Sequence, residues 1–228
     1  MNKCINFILA VLLFSSFATA SYADKLGNPI TGITQDTGYL LNKDEWQYEV
    51  SNGFVSGGLT DFLTFGLNVY YELLAPNLNG KIRLINESNN FPQIALGASS
   101  SYNYQDYTLY FSKALSEKWL YGSLKYLSSK YYYNFEAANY SRMFLCPPSI
   151  NTANATMGMI IKNAEGLNTI LEISLDNSLD KTVPYSRIRG GACLEVTLSN
   201  ARCRIMEYAN GESLRTLFDL TFTGYASK

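Results

Sequence analysis

The stretch Leu63-Thr64-Phe65-Gly66-Leu67-Asn68-Val69-Tyr70-Tyr71 alternates between apolar side chains and side chains that are mostly small or polar. Its odd positions carry Leu, Phe, Leu, Val and Tyr, and its even positions begin with Thr, Gly and Asn. Successive side chains of an extended strand point to opposite faces, so a period of two predicts a β-strand with one apolar face.

The same alternation recurs along the chain after residue 24, where helical periodicity is hard to find. It is present at residues 46–51, 81–84, 94–99, 171–175 and 218–223. The apolar faces carry no charge, as expected of a surface in contact with lipid, where Arg or Lys at mid-bilayer costs about 2–4 kcal/mol. The opposite faces are often Gly, Ser, Thr, Asn or Tyr, which suit a hydrated barrel interior. A soluble β-sandwich also alternates in this way and stays open as an alternative.

A short repeat marks two tight turns between alternating segments. Residues 58–66 read Gly-Leu-Thr-Asp-Phe-Leu-Thr-Phe-Gly, and residues 114–122 read Ala-Leu-Ser-Glu-Lys-Trp-Leu-Tyr-Gly. Each has a leucine, a hydroxyl and an acid at the bend, and a glycine five residues after the acid. The hydroxyl and the carboxylate can hydrogen-bond the backbone of the turn, which stabilises a tight reversal.

With the Gly-Leu-Thr-Asp turn and the alternating stretch Asp44–Leu84, the sequence resembles the porin-like outer-membrane β-barrels of Gram-negative bacteria. The resemblance implies an all-β, closed antiparallel transmembrane barrel with both repeat turns on the periplasmic side. It also implies outer-membrane lipid and the barrel-assembly machinery as partners. Barrel enzymes of this class rely on histidine, so the resemblance further implies a barrel that is not an enzyme.

The two repeat turns allow the strands to be counted. Two strands are expected before Thr60, at 33–41 and 45–57, and four between the turns. Seven candidate segments follow Ser116, and an even number is required if both ends of the barrel chain lie on one side. The weakest is 138–146, because the adjacent Pro147-Pro148 cannot donate ladder hydrogen bonds. We therefore expect about 12 strands, with 8, 10 or 14 as alternatives.

One hairpin has a register that can be predicted in detail. A two-residue turn at Ser199-Asn200 pairs Glu195 with Arg204 on the polar face, so that an acid meets a base. The same register places Cys193 inward and Cys203 outward, which disfavours a disulfide between them.

The N-terminus has the three parts of a secretory signal peptide. A single Lys3 precedes the apolar run from Ile5 to Phe14, and small residues then offer cleavage after Ala20 or Ala23. We expect residues 1–23 to be removed and residues 24–228 to form one barrel domain in the outer membrane.

Composition excludes several classes of function. The 228 residues contain no histidine, so Ser-His-Asp hydrolysis and His-ligated metal sites are excluded. The 18 basic and 19 acidic residues give a net charge of −1, which does not favour nucleic-acid binding. Cys146, Cys193 and Cys203 remain after processing and form no Cys-x-x-Cys pair, so we expect no metal and no cofactor.

The charged residues on the polar faces are the candidate lining of a pore: Lys81, Arg83, Lys125, Glu172, Arg187, Arg189, Glu195, Arg202, Arg204 and Asp219. Seven are basic and three acidic, which predicts a weak preference for anions. The first functional hypothesis is therefore a porin-like passive channel for small solutes. The alternatives are a structural or surface-binding barrel with a plugged lumen, whose tyrosine-rich loop at 130–138 could bind a partner, and a soluble secreted β-domain.

Overall fold

The structure is a computed structural model that describes residues 31–33, 35–50, 53–68, 78–100, 104–129, 151–179, 186–198, 200–209 and 214–225. The predicted signal peptide, the candidate segment 138–146, Cys146 and the loop at 130–138 lie outside these ranges. No helix long and apolar enough to cross a membrane is found among the described residues.

Twelve strands form one closed ring in the described part of the chain. Each pairs antiparallel with its sequence neighbours, and β1 pairs with β12 to close the barrel. The closed antiparallel barrel of twelve strands that the sequence predicts is confirmed. The strands are β1 (Glu45–Glu49), β2 (Phe54–Thr60), β3 (Leu63–Asn68), β4 (Leu78–Ile85), β5 (Gln93–Ser100), β6 (Tyr104–Leu115), β7 (Lys118–Ser129), β8 (Asn151–Ala164), β9 (Leu167–Ser178), β10 (Ser186–Leu198), β11 (Ala201–Ala209) and β12 (Leu214–Tyr225).

The strands divide about the two repeat turns as two, four and six, as predicted, but the first pair is placed differently. Residues 33–41 do not form a wall strand, so that prediction is wrong. The predicted strand 45–57 instead supplies both β1 and β2. The chain reverses between them near Gly53, whose φ of 62° lies in the left-handed region that glycine adopts without steric cost.

The barrel is apolar outside and polar inside. Large apolar side chains face outward and are strongly exposed, among them Met157 at 71%, Phe218 at 68% and Ile173 at 56%. Inward side chains on the same strands are buried and polar, such as Glu172 at 5% and Ser174 at 2%. A soluble β-domain buries its apolar face, whereas this arrangement is the one expected of a barrel surrounded by lipid.

The two ends of the barrel differ in their connections. The turn end carries the hairpins that follow β2, β4, β6, β8 and β10, and four of these connections are only two residues long. Both Leu-hydroxyl-acid turns lie at this end. The loop end carries the other connections, of which the longest covers residues 130–150 between β7 and β8.

Short turns at the turn end hydrogen-bond to the adjacent hairpin. In each case a carbonyl in the turn accepts a hydrogen bond from the backbone N–H of the strand next to the hairpin, so consecutive hairpins are tied together beyond their regular ladders. The four bonds run from Arg83 to Phe62 (2.9 Å), Lys162 to Glu117 (2.9 Å), Thr197 to Gly166 (2.7 Å) and Thr223 to Asn200 (2.8 Å).

Candidate functional site

The lumen is the candidate site, and a stretch of the chain itself lies within it. We call residues 31–41, apart from the undescribed residue 34, the internal segment. A backbone bridge joins Thr31 to Asp36, and the amide of Gly32 donates to the carbonyl of Gln35 at 2.8 Å, so the segment begins with a small turn. Its residues are buried or half-buried among inward-facing side chains.

A tight reversal joins the internal segment to β1 at the turn end. The amide of Glu45 donates to the carbonyl of Asn42 at 3.1 Å, and Asp44 has a φ of 64°. The carboxylate of Glu45 accepts from both the backbone and the side-chain amide of Asn42, at 2.9 and 2.8 Å. Gly58 of β2 packs directly against this reversal, because a Cβ at that position would be 1.9 Å from the carbonyl oxygen of Asn42.

One end of the internal segment is held by the wall formed by β9, β10 and β11. The Arg204 guanidinium donates to the carbonyl oxygens of Thr31 and Gly32 at 3.2 and 3.3 Å. The carboxylate of Glu172 accepts from the amide of Ile33 at 2.8 Å and from the hydroxyl of Tyr121 at 2.6 Å. The wall therefore binds both carbonyl groups and an amide of the segment's backbone.

The other end of the segment is held by the wall formed by β3 to β6. The amide of Gly38 donates to the hydroxyl of Ser112 at 2.6 Å, and its carbonyl accepts from the side-chain amide of Gln93 at 2.7 Å. The amide of Leu41 donates to the hydroxyl of Thr64 at 3.1 Å. Hydrogen bonds to side chains here take the place of the backbone ladder that a wall strand would make.

Tyr39 provides a further contact near the turn end. Its hydroxyl donates to the carboxylate of Glu87, in the connection between β4 and β5, at 2.6 Å. Burial, reinforced by this hydrogen bond, raises the pKa of Tyr39 above its ordinary value.

A small apolar cluster lies inside the otherwise polar lumen. It surrounds Ile33 of the internal segment, which is fully buried, and its other members come from the wall: Tyr121, Ile160, Ile170, Cys193, Met206 and Tyr208. Because a side chain of this segment completes the cluster, the wall and the segment form one packed unit.

The predicted register of the hairpin β10–β11 is confirmed. Glu195 pairs with Arg204, and the guanidinium Nε donates to the carboxylate at 2.7 Å. The side-chain amide of Asn168 donates to the other carboxylate oxygen at 2.9 Å. Cys193 is buried and Cys203 is half-buried, and both are free thiols, as the register predicts.

Most of the predicted lining residues lie on inward faces. Lys81, Glu172, Arg189, Glu195, Arg202, Arg204 and Asp219 are buried, whereas Arg83 and Lys125 are half-buried. Arg187 belongs to β10, but its side chain is outside the described part of the structure. That these residues line an open pore stays a prediction.

Sequence reasoning missed several inward-facing acids. Glu45, Glu49, Asp106 and Asp176 are also buried inside the barrel. With them, the described interior holds seven buried acids against four buried bases. The sequence-based prediction of an anion preference assumed more basic than acidic lining residues, and the structure does not show that excess. The signal was available, because strict alternation along each strand assigns all four acids to the polar face.

The interior charges are arranged largely in pairs. Asp176 contacts Arg189 and also accepts from the side-chain amide of Asn154. The ammonium of Lys125 lies 3.7 Å from the carboxylate of Asp106. On the internal segment, Asp36 lies 3.9 Å from the ammonium of Lys81. Pairing of this kind reduces the cost of burying charges and leaves a nearly balanced lining.

The internal segment itself was assigned by sequence reasoning to a wall strand. The available signal was the Thr-Gly pair that occurs twice, at residues 31–32 and 37–38. Both glycines lie against the wall, since a Cβ on Gly32 would be 2.4 Å from the Tyr121 hydroxyl and one on Gly38 would be 3.1 Å from the amide nitrogen of Ser112.

No protein-family model and no curated protein sequence matches this chain. The chain is similar in structure to solved porins, the class that its sequence resembles. The NanC porin has 6% identity over 80% of this chain and 98% of its own, with a TM-score of 0.49. Pseudomonas aeruginosa OpdO has 8% identity over 80% of this chain, with a TM-score of 0.43, and Pseudomonas aeruginosa OccK5 has 9% over 81%, with 0.44. This chain covers 61% and 64% of the lengths of those two proteins.

Proposed function

We propose that this protein is a passive, porin-like channel of the bacterial outer membrane for small polar solutes. The observation that carries the proposal is the inside-out distribution of side chains on a closed ring of twelve strands. An apolar outer face matches lipid, and a polar, ion-paired inner face matches a hydrated path through it. The turn end then faces the periplasm.

The proposed channel is not an enzyme. The chain contains no histidine, and the buried acids Glu195, Asp176 and Asp106 each contact a basic side chain. Carboxylates held in this way are already occupied by ion pairs. The partners implied are outer-membrane lipid, the barrel-assembly machinery during biogenesis and the passing solutes.

The charge of the lining gives the expected selectivity. Seven buried acids and four buried bases, with the half-buried Asp36, Arg83 and Lys125, make eight acids against six bases in the described interior, so we expect a weak preference for cations over anions. This replaces the anion preference expected from the sequence alone.

Recording from planar bilayers tests the proposal. Pure protein is folded in detergent, checked by its change of gel mobility on boiling, and added to one side of a bilayer. We expect discrete conductance steps, and a reversal potential under a KCl gradient whose sign indicates K⁺ preference. Boiled protein serves as the control. Folded protein that never gives steps would refute the channel.

A second candidate is a structural or surface-binding barrel whose lumen is closed. The contacts of the internal segment with both walls favour it, because they fill part of the lumen with the protein's own chain. This candidate predicts a folded, heat-modifiable protein in the outer-membrane fraction that shows no conductance. The same recordings therefore separate the two candidates.

A further inference from the structure

We propose that the internal segment forms the constriction of the channel, and that Arg204 and Glu172 are the residues that position it there. The inference deepens the proposed function and rests on it, because the segment can limit passage only in a barrel that conducts. It assigns the narrowest point to a part of the chain that precedes the barrel strands.

The internal segment crosses the lumen from one wall to the opposite one. In the ring of twelve strands, β11 and β5 are six positions apart in both directions, so they face each other. Arg204 on β11 holds Thr31 and Gly32, and Gln93 on β5 holds Gly38. A solute that travels along the barrel axis must therefore pass beside the segment.

The wall contacts bind the backbone of the segment at fixed points. Arg204 is itself anchored by Glu195 at 2.7 Å, so its guanidinium presents donors to the carbonyls of Thr31 and Gly32 from a fixed position. Glu172 offers an acceptor to the next amide, that of Ile33. The guanidinium and the carboxylate thus match the two carbonyl acceptors and the amide donor of one continuous stretch of backbone, residues 31–33.

The buried side chain of Ile33 anchors the segment next to these backbone hydrogen bonds. Its side chain is 0% exposed within the apolar cluster of the lumen. Gly32 allows the close approach, because a Cβ there would be 2.6 Å from the carboxylate of Glu172 as well as 2.4 Å from the hydroxyl of Tyr121. A larger residue at position 32 therefore weakens docking and leaves every wall residue unchanged.

Asp36 is the partly exposed charged residue of the internal segment, and its carboxylate lies 3.9 Å from the ammonium of Lys81. Because this charge is paired, we expect the segment to limit passage by the size of a solute and not by the sign of its charge.

The experiment compares four proteins, each checked for folding by heat modifiability. They are the wild type, Gly32→Val, a deletion of residues 31–41, and Gly80→Val as the matched control, since a Cβ on Gly80 meets no atom within 4 Å. Single-channel conductance is measured in planar bilayers, and the size limit is measured by swelling of liposomes in sugars of increasing mass.

We expect the deletion to raise conductance at least about twofold and to admit larger sugars, because the limiting cross-section sets both. Gly32→Val is expected to change both in the same direction, and Gly80→Val to match the wild type. A silent wild type beside a conducting deletion variant would overturn the inference, because the segment would then close the lumen instead of forming the constriction of a conducting channel.

Equal conductance and equal size limits in all four proteins would overturn the inference and leave the channel function intact. Folded wild type and folded deletion variant that both stay silent would overturn the channel function itself. If the deletion variant does not fold, Gly32→Val decides by the same comparison with Gly80→Val.

Discussion

At Gly58 the absence of a side chain lets the backbone of Asn42 cross the inner face of β2. A methyl group there would lie 1.9 Å from the carbonyl oxygen of Asn42 and 2.9 Å from that of Leu41. Both contacts are with backbone atoms, which cannot rotate away. Gly58 thus fixes the point at which the chain passes from the internal segment toward β1.

We predict that Gly58→Ala destabilises the barrel by about 1–3 kcal/mol, because overpacking against backbone forces the reversal at 42–45 to shift. Gly57→Ala is the matched control, since its Cβ would meet only the carbonyl of Glu45, at 3.9 Å. Urea unfolding in lipid vesicles, followed by tryptophan fluorescence, measures the difference. Equal midpoints for the two variants would contradict the close passage at Gly58.

Residue pairs were predictable from sequence only where a turn fixed the register. The pair Glu195–Arg204 followed from the two-residue turn at 199–200 and cross-strand charge matching. The second role of Arg204, holding Thr31 and Gly32, joins residues more than 170 positions apart. No local pattern encodes such a contact, so this part of the site required the structure.

At the scale of elements, alternation identified most wall strands because each has one face toward lipid and one toward the lumen. The same pattern could not distinguish a wall strand from an extended segment inside the barrel. The described residues of 33–41 bend at several points, and they hydrogen-bond to inward side chains such as Ser112 and Thr64 instead of to a neighbouring strand. The β1–β2 reversal was missed because no repeat turn marks it.

The two-residue turns provide a prediction at this scale. Ser116 in the β6–β7 turn has a φ of 55°, and Gly166 in the β8–β9 turn has a φ of 71°. The left-handed region costs a non-glycine residue about 1–2 kcal/mol, so Ser116→Gly is expected to raise stability slightly and Gly166→Ala to lower it by about that amount.

Urea midpoints of the two turn variants, measured side by side, check this expectation. Gly190→Ala is the control, since its Cβ would lie 3.6 Å from the carbonyl of Glu172, an ordinary contact. A loss of stability in Ser116→Gly would show that the serine side chain contributes more than the backbone strain costs.

For the whole molecule, the inside-out distribution of side chains was the most predictable property. Charge-free apolar faces predicted contact with lipid, and the exposed positions of Ile173, Leu171 and Leu175 agree with it. The net charge of the interior was not predicted, because the inward acids Glu45, Glu49, Asp106 and Asp176 were left out of the predicted lining.

We predict that Ile173→Arg, near the middle of β9, costs about 2–4 kcal/mol of folding free energy in lipid vesicles, because the charge faces the bilayer midplane. Glu165→Arg, at an exposed position in the β8–β9 turn, is the control and should change stability by less than about 0.5 kcal/mol. If Ile173→Arg instead makes the protein soluble without detergent at full stability, the outer face does not contact lipid.

The internal segment runs directly into β1 through the reversal at residues 42–45. The seam between β1 and β12 joins Glu45 to Tyr225, which are 225 − 45 = 180 residues apart, so its closure costs more chain entropy than any neighbouring pairing. Once Arg204 on β11 has bound Thr31, only 45 − 31 = 14 residues separate that contact from the start of β1, so closing the seam costs less further chain entropy. We therefore expect a chain that lacks the segment to close its barrel more slowly.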